Sequence, residues 1–272
     1  MKKCQPFIKW VGGKRQLITE LKSLMPKNYN RYIEPFIGGG ALFFELQPKN
    51  AIINDYNKEL VNLYKVVREA PQDLIKDLSK HKNESEYFYE IRVIDRDEKK
   101  FKKLTKIQRA SRFIYLNKTG FNGLYRVNSK GEYNVPFGRY KNPNYCNKEN
   151  ILACSELLKN TEILNGDFEA LKPKIKKGDF VYFDPPYVPL TTTASFTGYT
   201  KIGFDEDMQI RLRELCDYID EIGAYFMLSN SYTDFILELY DKYKIHTVKA
   251  TRSINSVGNQ RGKIKEVVVT NY

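Results

Sequence analysis

Metal-binding side chains are scarce in this sequence. Two histidines, His81 and His246, and four cysteines, Cys4, Cys146, Cys154 and Cys216, are scattered through 272 residues with no Cys-x-x-Cys spacing. Neither a zinc site nor a disulfide framework is expected, the thiols read as reduced and structural, and no metal enters the expected chemistry. Long apolar runs are missing as well. Nowhere do 18 apolar residues follow one another, and Lys9 interrupts the start of the chain before a stretch of signal-peptide length. No membrane contact and a cytoplasmic location are expected. Internal repeats and low-complexity segments are absent. Acidic residues are outnumbered, 33 Asp and Glu against 45 Lys and Arg, a formal charge of +12. That balance suits a protein that lies beside phosphates and displaces their counterions, although abundant Lys, Asn and Ile also fit a biased genome composition.

What is present points to a folded, globular protein. Hydrophobic residues make up 42% and aromatics 14%, with 20 Tyr, enough to bury a sizeable core. Two segments read as a strand followed by a tight turn: Arg31 to Phe36 leading into Ile37-Gly-Gly-Gly40, and Asp179 to Phe183 leading into Asp184-Pro-Pro-Tyr187. Ala51 to Asp55 and Ala224 to Ser231 are further buried-strand candidates, and helical stretches lie over Asp207 to Ile222 and Tyr232 to Tyr243. Strands alternating with helices predict an α/β layer with a mostly parallel sheet. From about Glu59 to Leu157 the pattern is instead helical and charged, then broken by Gly, Asn and Pro. There Leu124 to Asn128 and Tyr133 to Phe137 flank a turn and read as a β-hairpin. The lysines between Lys99 and Lys106 read as a solvated helix face.

Asp184-Pro185-Pro186-Tyr187 carries the sharpest chemistry. An exocyclic amine on a nucleobase is a poor nucleophile because its lone pair is delocalised into the ring. A carboxylate and a backbone carbonyl can accept both N–H bonds and return that lone pair to nitrogen, with Pro-Pro fixing the direction of the acceptors. Tyr187 offers a face on which an extruded base can stack. The bland alternative is a strand ending in a proline turn with Asp as a local cap. Glu34-Pro-Phe-Ile-Gly-Gly-Gly40, followed by Asp55 at the end of the next strand, provides a close backbone approach and an acceptor for a ribose diol. It departs from Gly-x-Gly-x-x-Gly, and glycine turns also serve packing. Lys9-Trp10-Val-Gly12-Gly13-Lys14 is basic and glycine-rich, and Lys14 suits the carboxylate of an amino-acid-like ligand.

These motifs, with Asn122-Gly-Leu124-Tyr-Arg126-Val-Asn128, Val135-Pro136-Phe-Gly-Arg139-Tyr140 and Gly166-Asp167-Phe168, stand in one order over nearly the whole chain. In this the sequence resembles the DNA adenine methyltransferase (Dam) family, and most of all the GATC adenine methylases of restriction-modification systems. The resemblance implies a Rossmann-like, S-adenosylmethionine-dependent methyltransferase domain at 1–58 and 158–272. Into it a mainly helical target-recognition domain carrying the hairpin would be inserted at 59–157. It implies that Trp10, Gly12, Gly13 and Lys14 hold the methionine end of the cofactor with Gly38, Gly39 and Gly40. Glu34, Pro35 and Phe36 would belong to the same site, Asp55 would take the ribose, and Asp167 and Phe168 the cofactor's adenine. Asp184 would border both ligands.

It also implies that the hairpin enters the major groove, with Arg126 bidentate to a guanine, Leu124 and Pro136 against thymine methyls, and Lys9 and Tyr140 at the first guanine. Phe121 and Asn122 would fill the gap left by the flipped base. Asn128 would contact DNA, and Arg139 would contact DNA by way of a phosphate. Double-stranded GATC DNA is the implied substrate, a separate cognate endonuclease the implied companion, and a monomer or weak dimer the implied state. Three rivals stay open on the residues alone: an amino-methyltransferase with another acceptor, a nicotinamide-dependent oxidoreductase resting on the glycine turn and Asp55, and a silent DNA-binding regulator.

Overall fold

The computed structural model describes residues 4–187, 204–251 and 263–272. Seven strands form one sheet: β1 (Tyr32–Glu34), β2 (Ala51–Asp55), β3 (Thr161–Asn165), β4 (Phe180–Phe183), β5 (Tyr225–Ser231), β6 (Lys244–Thr251) and β7 (Lys263–Thr270). Their spatial order is β3-β2-β1-β4-β5-β7-β6. The first five pair in parallel, and β7 runs antiparallel between β5 and β6. The central parallel strand Phe180–Phe183 is apolar on both faces, with all four residues buried, because helices cover the sheet on both sides. The α/β class with a mostly parallel sheet read from the sequence is the class observed.

Ten α-helices complete the described chain. α1 (Ile18–Leu24) precedes β1, α2 (Ala41–Leu46) lies between β1 and β2, and between β2 and β3 come α3 (Lys58–Glu69), α4 (Pro71–Leu78), α5 (Ser85–Arg92), α6 (Glu98–Lys103), α7 (Lys106–Thr119) and α8 (Lys148–Leu158). After β4 come α9 (Glu206–Glu221) and α10 (Asp234–Leu239). α3 starts where Asn57 accepts from the backbone N–H groups of Glu59 and Leu60, and its apolar stripe buries Leu60, Leu63, Tyr64 and Val67. α7 begins with a capping box in which Thr105 and Gln108 satisfy each other's backbone.

One core, with Phe7, Phe43, Tyr64 and Phe113, covers one face of the sheet and continues into α7 and α8. A second, with Phe168, Phe183, Leu215 and Phe226, covers the other. The segment 59–157 has a small core of its own around Phe88, Tyr115, Tyr133 and Val135. Its outer helices α3 and α8 also pack against β3 and share the first core.

The expected hairpin is present in reduced form. Its arms meet through the isolated bridge Val127–Tyr133 and the bond from Asn134 N–H to Arg126 C=O, so neither arm is a full strand. The helix expected over Tyr232 to Tyr243 is shorter, Asp234–Leu239, because Thr233 caps it and Tyr240 already leaves helical geometry. Among the described residues no helix is long and apolar enough to cross a membrane.

Candidate active site and nucleic-acid interface

Strand order reverses between β1 and β4, and loops leave the two strands in opposite directions there, opening a crevice at their carboxyl ends. Glu34 closes β1, Asp55 closes β2 and Asp184 follows β4, so three carboxyl groups converge from three strands. Glu34 is buried, accepts the Tyr32 hydroxyl at 2.7 Å, and burial lifts its pKa well above the usual carboxylate range. Asp55 accepts the Gly38 N–H at 3.0 Å on one oxygen and the Asn57 N–H at 2.9 Å on the other. Burial outweighs those bonds and raises its pKa to about 6.

The glycine turn needs its glycines. Gly38 and Gly40 have φ of +45° and +67°, and a Cβ on Gly38 would stand 2.7 Å from the Trp10 ring, while one on Gly40 would stand 2.8 Å from the Tyr64 hydroxyl. Tyr64 of α3 donates to Gly38 C=O at 3.0 Å and so supports the turn from beneath. Asn54 donates to Pro35 C=O and Gly166 C=O, tying the turns after β1 and β3 together. Trp10 thus lies against the turn. It also stacks with Tyr125 at 5.4 Å, which stacks with Phe113 at 4.5 Å, an aromatic column joining the N-terminal segment to α7.

Lys14 is buried and donates to Gly12 C=O at 2.8 Å and to Asp184 at 2.9 Å, with its ammonium 4.4 Å from the Tyr187 ring centre. The expectation of a ligand carboxylate for Lys14 meets a structure in which the ammonium is paired to the Asp-Pro-Pro-Tyr turn. Burial pushes the Asp184 pKa up while Lys14 pulls it back. The turn is gripped further along. Gln209 of α9 donates to Pro186 C=O at 3.3 Å and accepts from Asn230 of β5 at 3.0 Å, both amides being fully buried. Tyr187 donates its hydroxyl to Glu266 of β7 at 2.9 Å.

Asp167 and Phe168, expected at the cofactor's adenine, are partly engaged within the protein. Asp167 accepts from Glu169 N–H at 2.9 Å and pairs with Arg211 at 3.2 Å. Phe168 is 2% exposed, packed with Phe36 at 5.5 Å and Phe204 at 6.1 Å between ring centres. Phe36, only partly buried, completes that apolar wall.

The DNA-facing candidates gather around the hairpin. Phe121 is 51% exposed at a turn where Asn122 has φ +55°. Lys9 reaches the same place from the N-terminus: Asn117 of α7 binds its N–H and C=O and also Gly123 C=O. The Lys9 ammonium lies 5.4 Å from the Tyr140 ring. Arg126, Pro136 and Arg139 are exposed, and the Arg126 Nε–H donates to Asn134 at 2.7 Å. Leu124 packs partly into the inserted core. Asn128 is occupied in the hairpin turn, accepting from Lys130 and Glu132 N–H groups and donating to the Glu132 carboxylate. Among the described residues no three His, Cys, Asp or Glu are grouped to hold a metal ion.

Sequence reasoning missed Tyr64, Asn54, Gln209, Asn230 and Glu266. The polar end of the buried strand around Ser229 to Ser231 hints at Asn230; nothing local marks Glu266.

A family model described as D12 class N6 adenine-specific DNA methyltransferase matches residues 10–254. The chain is 49% identical over 272 residues to the Type II methyltransferase M1.LlaDCHI of Lactococcus lactis subsp. cremoris, covering 98% of this chain and 95% of that one. It is 45% identical to the Type II methyltransferase M.MjaIII of Methanocaldococcus jannaschii, with 98% and 99% covered. It is 34% identical to the DNA adenine methylase of Escherichia coli K12, with 98% and 95% covered.

Proposed function

Because the chain belongs to the D12 class of N6 adenine-specific DNA methyltransferases, we propose that the turn 184–187 receives an adenine flipped from duplex DNA and activates its amine. The observation that carries this reading is the placement of Asp184 at the carboxyl end of β4, with Lys14, Gln209 and Glu266 fixing the turn around it. The Asp184 carboxylate and the Pro185 carbonyl accept the two N–H bonds and concentrate the lone pair on nitrogen, and Tyr187 stacks on the ring. S-adenosylmethionine supplies a methyl group on a sulfonium, whose sulfur is a good leaving group. The crevice suits that cofactor. Asp55 at the end of β2, beside the Gly38–Gly40 turn, is an ionisable acceptor already aimed by two N–H groups. Trp10, Gly12, Gly13, Lys14 and the glycine turn would hold the amino-acid end, Asp55 the ribose, and Asp167 and Phe168 the adenine. Positioning and electrostatics account for the acceleration without a covalent enzyme intermediate.

Residues 59–157 are proposed as the target-recognition part. There Arg126 reads a guanine, Leu124 and Pro136 meet thymine methyls, and Lys9 and Tyr140 meet the first guanine, giving GATC. Phe121 and Asn122 fill the vacated stack, and Arg139 and Asn128 contact DNA or support those that do. Two relatives named Type II methyltransferases support a place in a restriction-modification system; a cytoplasmic location and a separate endonuclease belong to the same proposal. Methylation of a random-sequence duplex library, with the modified adenines mapped, tests this. Modification confined to GATC supports the reading; none, or modification of cytosine, overturns it.

A further inference from the structure

Glu266 belongs to none of the motifs that border the crevice and is separated from Tyr187 by 79 positions, yet it accepts the Tyr187 hydroxyl at 2.9 Å. It stands on the antiparallel strand, opposite Ser231 of β5 and Val248 of β6, where the last residues of β5 reach the edge of the crevice. A carboxylate there is costly, because the same site already holds Asp184, whose ionisation Glu266 opposes. A phenol donating to a carboxylate forms a charge-assisted bond, and the carboxylate polarises the phenol so that its ring becomes richer in electrons. One face of that ring already attracts a cation, the Lys14 ammonium at 4.4 Å.

We propose that Glu266 is a positioning residue for methyl transfer: through the Tyr187 hydroxyl it fixes the ring plane and strengthens the ring's attraction for the positive charge that arrives on the base. In the transfer a bond forms from the amine nitrogen to the methyl carbon, and the carbon–sulfur bond breaks with its electron pair remaining on sulfur. The positive charge passes to the adenine until an N–H proton is taken by the Asp184 carboxylate that already accepts that N–H, or by solvent. A ring stacked on that adenine meets a neutral base before attack and a cationic one afterwards, so its enriched face favours the later state. Glu266 touches neither substrate nor cofactor in this role. The inference rests on the reading of Tyr187 as the stacking ring.

The test compares Glu266→Ala, Glu266→Gln, Tyr187→Phe, Tyr187→Ala and the double variant Glu266→Ala/Tyr187→Phe in single-turnover methylation of a duplex with S-adenosylmethionine. Thermal melting of each protein checks that it is folded. Glu266→Ala is expected to slow transfer by roughly tenfold, less than the roughly thirtyfold of losing a whole desolvated cation–π contact because the ring itself remains, with duplex affinity nearly unchanged. Glu266→Gln, which still accepts the phenol but carries no charge, falls between. Adding Glu266→Ala to Tyr187→Phe should cost little more, since the path through the hydroxyl is already cut. A duplex with 2-aminopurine at the target position should fluoresce more brightly with Glu266→Ala, because a loosely held ring quenches the stacked base less. Wild-type rates in Glu266→Ala, or losses that simply add in the double variant, overturn the inference. If Tyr187→Ala methylates normally, the stacking reading itself fails; if it is impaired while Glu266→Ala is not, only the role of Glu266 fails.

Discussion

Lys14 and Asp184, 170 positions apart in the sequence, meet at 2.9 Å, their side chains only 6% and 21% exposed. The pair couples the basic N-terminal motif to the Asp-Pro-Pro-Tyr turn. Lys14 is the group that holds the Asp184 pKa down against burial.

Removing that ammonium leaves Asp184 buried without its counter-charge. Lys14→Met is therefore expected to raise the Asp184 pKa further, because burial acts unopposed. Amine activation requires the ionised form, so the acid limb of the kcat/KM profile should move to higher pH. Lys14→Arg should move it less. A pH–rate series on duplex substrate measures this, and an unmoved acid limb would refute the assigned coupling.

Asp55 carries a pH dependence of opposite consequence for stability and function. Its folded pKa, raised to about 6 by burial, lies above the ordinary carboxylate value, so this group favours the folded state while protonated and that contribution is lost as pH rises through about 6. Ribose hydroxyls need the ionised acceptor. Affinity for S-adenosylhomocysteine should fall as pH drops below about 6, and Asp55→Asn should be weaker by roughly tenfold at neutral pH and flat across that range. Calorimetric titration at several pH values checks both.

Arg126 is exposed and steadied by Asn134 across the hairpin at 2.7 Å. Arg126→Ala should relax discrimination at one guanine by about 1–3 kcal/mol and leave other positions unaffected. Competition between cognate and single-substituted duplexes reads this out. An equal loss on every sequence would make Arg126 a phosphate contact.

How much of this was legible beforehand follows from the range of the interactions concerned. The strands around Ile33, Ile52 and Val181, the glycine turn at 38–40 and the Asp184–Tyr187 turn are written in runs of adjacent residues, where alternation, backbone freedom and proline rigidity act locally. The family likeness was carried by the same short runs. The hairpin at 124–137 was visible by its turn but not by its weakness, because pairing strength depends on what the arms pack against; here that is α5 and α7 rather than a neighbouring strand.

The partners of the site were invisible for a related reason. Whether Lys14 faces Asp184, whether Tyr64 reaches beneath Gly38, and whether Glu266 crosses β5 to Tyr187 depend on sheet order and register. Inserting β7 antiparallel beside β5 decides the last of these. The chain alone settled which groups were available for chemistry, since composition and short spacing are properties of neighbours along the backbone. Folding settled which groups share a low-dielectric crevice. Burial and distance set charge and hydrogen bonding there, and both arise only when remote segments are packed together.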